Sequence, residues 1–242
     1  MRRWLLYLLM VAAFAANAPA QNANQAANHS VSKPPVSNPP VSNPMVPTVT
    51  FDCFWEPFTP QSYTITVQST GSALYSSRNP SKPADANGAQ DEDYQTWFTM
   101  SAANRDKIFH LAEQAGYFNG NFDYRKHTIA NTGKKTLAYA DSTRQFQTVY
   151  NWSENTAIGQ LTQIFQGISN TVEHGRKLQF LRRFDKLGLE AELKGMEALA
   201  QGQNLAELQV IEPLLKSIAE DSAILNIARQ RARRLLAKSN AE

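Results

Sequence analysis

The residues of this chain best suited to metal or hydrolytic chemistry are His110, Asp123 and His127, with the acids Asp91, Glu92 and Asp93 upstream. Two imidazoles and a carboxylate are the protein ligands a catalytic zinc takes while leaving one position open for water. Their spacing, however, matches no ligand signature. His110 falls beside Phe109 and Leu111 on a predicted helix, whereas Asp123 and His127 fall in a predicted loop. A metal-dependent or other hydrolase working through His110, Asp123 and His127 is the enzymatic alternative. No residue is assigned as catalytic, cofactor-binding or metal-ligating, and no cofactor is expected.

Cys53 is the one cysteine, so no internal disulfide forms. Its place between Phe51, Phe54 and Trp55 suits a small buried hydrophobe better than a nucleophile. There is no G-x-S-x-G elbow and no phosphate-cradling glycine loop. The basic residues Arg229, Arg231, Arg233, Arg234 and Lys238 crowd the last predicted helix, with Glu220 and Asp221 at its start. That polarity complements a helix dipole and reads as a solvated face, or as a surface for an acidic partner or anionic lipid. Phe51, Phe54, Trp55, Phe58, Tyr63, Tyr94, Trp97 and Phe98 cluster early in the fold. They read as strand core, with an exposed subset able to form a sugar or peptide platform.

These groups sit on a pattern of alternating and helical periods. Val49, Phe51, Cys53 and Trp55 alternate with polar or outward positions, as do Tyr63, Ile65 and Val67; Gly71 then turns the chain back through Ala73–Tyr75. Residues 78–93 read as a loop and 94–99 as a strand. Ser101 caps a helix whose apolar face is Ile108, Leu111, Ala112 and Ala115, closed by Gly116. A hairpin over 134–152 turns at Asp141-Ser142-Thr143. A helix bearing Ile158, Leu161, Ile164, Phe165 and Ile168 follows. From Gly175 the composition shifts to Ala, Leu, Glu, Lys and Arg. Four short helices are predicted, marked by Leu178–Phe184, Leu189–Leu199, Leu208–Ile218 (bent or interrupted at Pro213) and Leu225–Leu235. The fold class is α+β: an antiparallel sheet with two helices over residues 48–174, followed by an all-α extension over 175–242.

Two segments precede the fold. Residues 1–20 have the order of a secretory signal: Arg2 and Arg3, an apolar run from Trp4 to Phe14, then Ala18-Pro19-Ala20. The run is shorter than the roughly 20 residues of a membrane span, so no stable transmembrane insertion is expected after cleavage. Residues 21–47 read as a linker that repeats Pro-Val-Ser-Asn-Pro. The formal charge is +3, but removing Arg2 and Arg3 from 24 basic residues leaves 22 against 21 acids. A nearly neutral mature chain gives no case for nucleic acid.

The stretches Tyr63–Val67, Phe109–Phe118, Thr132–Leu137, Tyr150–Asn155 and Arg183–Leu189 resemble an uncharacterised family of exported bacterial (Acidobacteria-like) proteins carrying a domain of unknown function. The resemblance implies export and assigns no catalytic residue. The expectation is a periplasmic or extracellular protein-interaction or envelope-associated module, whose partner is an envelope or secreted protein.

Overall fold

Alternation of β-branched and aromatic residues with small polar ones builds six strands. They are β1 (Thr48–Phe54), β2 (Ser62–Gln68), β3 (Ser72–Arg78), β4 (Tyr94–Thr99), β5 (Lys134–Ala140) and β6 (Gln145–Tyr150). A computed structural model describes residues 45–78 and 93–239. The predicted signal, nearly all of the linker, and Asp91 and Glu92 lie outside them. The strands form one antiparallel sheet in the order β4-β3-β2-β1-β5-β6. Phe51 stands opposite Ile65 on β2 and Leu137 on β5, and all three are fully buried. The other face carries Thr50, Asp52, Thr64, Thr66 and Thr136, of which Thr64 Oγ1 donates to Asp52 Oδ1 at 2.5 Å. One face is therefore core and the other wet, as an antiparallel sheet permits.

Two helices cover the inner face. α1 (Ala102–Gln114) begins where Ser101 Oγ accepts from Asn104 N, and it buries Ile108, Leu111 and Ala112. α2 (Thr156–Phe184) begins where Asn155 Oδ1 accepts from Ile158 N at 3.1 Å. Its Phe165 ring stacks on Phe51 with centroids 5.1 Å apart and planes 2° apart. Such a pair adds roughly 0.5–1.5 kcal/mol beyond the area it buries.

The α+β class holds, with a helical C-terminal region, but the helical layout differs from the sequence expectation. The helix at Ile158–Ile168 and the short one at Leu178–Phe184 are a single helix of 29 residues. Gly175 lies inside it because a Cβ there would overlap Ile211 Cγ2 from a later segment. Close approach of neighbouring backbone, rather than chain termination, explains this glycine. After α2 come α3 (Gly188–Gln201), a 3-10 turn at Leu208–Ile211, α4 (Glu212–Glu220) and α5 (Asn226–Ser239). Pro213 sits in the first turn of α4, where its missing N–H has no intrahelical acceptor to serve, so it starts a helix instead of bending one.

Leu178, Leu189, Leu193, Met196, Leu215 and Ala232 build a second core, while Phe184 and Leu225 are exposed. The first core takes α2 up to Val172 and the second takes it from Leu178, so one helix belongs to both. Among the described residues no helix is long and apolar enough to cross a membrane.

Candidate functional site

The last inward-facing row of the sheet is polar. Cross-strand register places Ser77, Tyr63, Cys53, Lys135 and Tyr150 side by side on β3, β2, β1, β5 and β6. Opposite them α2 turns a polar stripe, Gln163, Gln166, Asn170, Glu173 and Lys177, whose spacing of three or four residues keeps them on one face. The space between this stripe and Ser77, Tyr63 and Cys53 is a cleft of about 820 Å³, with Lys135 and Tyr150 buried beside it. Its lip is the β1–β2 loop, closed on itself by Trp55 N to Gln61 O at 2.8 Å and Phe58 N to Trp55 O at 3.0 Å. Those bonds bring the Trp55 and Phe58 rings into a stack at 4.1 Å. Gly133 lets the neighbouring loop close against this lip: at φ +91° a Cβ would lie 2.8 Å from Trp55 Cβ.

Inside, the polar groups bond one another. Glu173 Oε1 accepts from Tyr75 Oη and from Ser77 Oγ, both at 2.7 Å, and Tyr75 Oη lies 3.2 Å from Ser169 Oγ. Burial, reinforced by the Glu173 charge, pushes the Tyr75 hydroxyl far up, so it donates as a neutral phenol. Burial also pushes the Cys53 thiol up, against the opposing pull of Tyr63 and Lys135. The Lys135 ammonium is inward and 3% exposed, and burial lowers it. It is held by donating to Thr132 O (2.8 Å), Thr132 Oγ1 (3.0 Å), Gly133 O (3.3 Å) and Asn151 O (2.9 Å). Around the rim the charges pair: Arg176 with Glu173 at 3.9 Å, Lys177 with Glu192 at 2.5 Å, and Arg78 with Asp93 at 3.3 Å. Glu192 also meets His174 Nδ1 at 2.5 Å.

The residues singled out for metal chemistry do not come together. His110 is exposed on α1 and bonded to Gln114 at 2.9 Å. Asp123 Oδ1 accepts Asn151 N at 2.9 Å, while His127 is exposed near the Tyr124 ring. Among the described residues no three of His, Cys, Asp and Glu gather in a way that could hold a metal ion.

Of the early aromatics, Trp55, Phe58 and Tyr63 line the cleft, Phe51 is core, and Phe54 and Trp97 are exposed. Tyr94 and Phe98 pack half-buried against the core. The C-terminal basic run is largely spent within the fold. Arg231 pairs with Glu190 and Glu197, Arg234 with Glu197, and Arg233 donates to Ala219 O.

Glu173, Tyr75, Ser77, Ser169 and Gln166 escape a motif-based reading. For Gln166 and Glu173 the one signal is the polar stripe along α2, and the composition shift at Gly175 cuts it in two. Compared with known proteins, the chain matches no family model and no curated protein.

Proposed function

We propose that this chain is an extracytoplasmic, envelope-associated binding module that recognises its partner through the cleft between the inner sheet face and α2. The observation that carries this reading is the state of the polar groups in the cleft and directly behind its wall. A nucleophile or general base needs an available lone pair and a proton affinity matched to its task. Here the Cys53 thiol is held protonated and Glu173 accepts two hydroxyl protons, while behind the wall the Tyr75 phenol donates to Glu173 and the Lys135 ammonium is saturated by oxygen acceptors. Groups so arranged fix shape and polarity and leave a surface for recognition. A concave site with aromatic walls and a few convergent polar groups is the usual form of a ligand site.

The test is site-directed photo-crosslinking in native envelope extract. One bait carries a photoreactive phenylalanine analogue at Gln166, on the cleft wall, and another carries it at Gln147, on the outer sheet face. A defined adduct is expected from position 166 alone, and Phe58→Asp in the same bait removes it. No adduct from 166, or the same adduct from both positions, overturns the reading.

A further inference from the structure

We infer that the ligand of this cleft is a neutral oligosaccharide, an inference that rests on the binding reading above and names its ligand class. Three features of the lining select it. At the lip, the stacked Trp55 and Phe58 rings offer an aromatic surface on which Phe58 is 55% exposed, and Phe180 on α2 adds a third ring. A pyranose presents an apolar C–H face suited to such a surface.

The wall then supplies side-chain amides. Gln163 and Gln166 project into the cleft without a side-chain hydrogen bond to any described residue, and Asn170 spends its Nδ2 on Asn204 O at 2.9 Å while keeping its carbonyl oxygen. Each amide carries both donors and an acceptor, which matches the hydroxyl pairs of a sugar, themselves donors and acceptors at once.

The third feature is charge. Arg78, Arg176 and Lys177 each face a carboxylate partner, so an ionic ligand would have to compete with pairs already made. An extended peptide fits less well. The strand residues Cys53, Tyr63 and Ser77 that line the cleft, on β1, β2 and β3, are each paired with neighbours on both sides, so no open strand edge faces it there for strand addition. The volume of about 820 Å³ lies within the roughly 300–1,000 Å³ of small-ligand sites and admits a short oligomer.

The experiment is isothermal titration of residues 21–242 with four tetrasaccharides, built from glucose, mannose, galactose and N-acetylglucosamine. At least one is expected to saturate. Phe58→Ala should weaken it by roughly tenfold, as loss of an aromatic anchor does. Gln166→Ala should weaken it several-fold, and Gln147→Ala on the outer face should leave it unchanged. Thermal melts of the three variants verify folding; both cleft positions are exposed, so either one alone carries the test. Failure of all four sugars to saturate at millimolar concentration overturns the inference, as does saturation indifferent to both cleft substitutions. An adduct from position 166 without sugar binding removes the saccharide alone. No adduct from position 166 removes the binding reading and this inference with it.

Discussion

Asp141 closes the β5–β6 hairpin with its carboxylate. Oδ1 accepts from Thr143 N (2.8 Å), Thr143 Oγ1 (2.9 Å) and Arg144 N (2.7 Å), and Oδ2 accepts from Tyr139 Oη and Arg144 Nε, both at 2.9 Å. The Thr143 N–H contributes most to holding this carboxyl well below the usual range; burial opposes it, and Tyr139 adds to it. A depressed folded-state value means the carboxylate stabilises the fold above the ordinary Asp range and loses that contribution as pH falls through it. The melting temperature of the wild type should therefore drop on acidification below about pH 5, and Asp141→Asn should show a lower plateau and a shallower drop. Parallel curves for the two proteins would refute this. The turn itself was legible, since Asp-Ser-Thr at a hairpin apex carries its own local hydrogen bonds. So was Cys53, whose strand neighbours point it inward to 8% exposure. Lys135 was not. Its residue type says surface, its place in the alternation says interior, and only four acceptors on converging loops decide for the interior.

At the scale of elements, the start of α1 depends on a residue more than a hundred positions away. Glu207, 1% exposed and at φ +59°, accepts from Ser101 N (2.7 Å), Ser101 Oγ (2.6 Å) and Asn104 Nδ2 (2.6 Å), and Gln209 Nε2 also reaches it. A carboxylate there satisfies orphan N-terminal donors and meets the positive end of the helix dipole. Glu207→Ala should destabilise by about 2–4 kcal/mol, the cost of stranding several buried donors. Urea midpoints would read this, and Ser101→Ala should cost less in the Glu207→Ala background than alone. Full additivity would mean the contact carries no coupling. The Ser101 cap is local chemistry and could be read from sequence; Glu207 could not, because nothing near it in the chain announces α1. The continuity of α2 was hidden for a related reason. A helix interior tolerates Gly at a cost of about 1 kcal/mol when packing demands it, and here the demand comes from Ile211.

For the whole molecule, the sequence division at residue 174 falls inside α2, and the cleft takes Glu173 and His174 from one side of it and Arg176, Lys177 and Phe180 from the other. Val210 packs against both cores, and the Glu207 carboxylate reaches across to α1. Breaking α2 would expose apolar surface of each core and open the site, so residues 48–239 should unfold as one cooperative unit. Two probes report on different parts. Trp55, Trp97 and Trp152 all lie in the sheet half, whereas far-UV circular dichroism is dominated by the helices, three of which belong wholly to the second core. In a urea titration the fluorescence and dichroism transitions should coincide in midpoint, and a truncation after His174 should lose its cooperative transition. If the dichroism signal melts first while the tryptophan signal persists, the second core is an independent unit. The cleft walled by α2 would then be only as rigid as the weaker half that extends it.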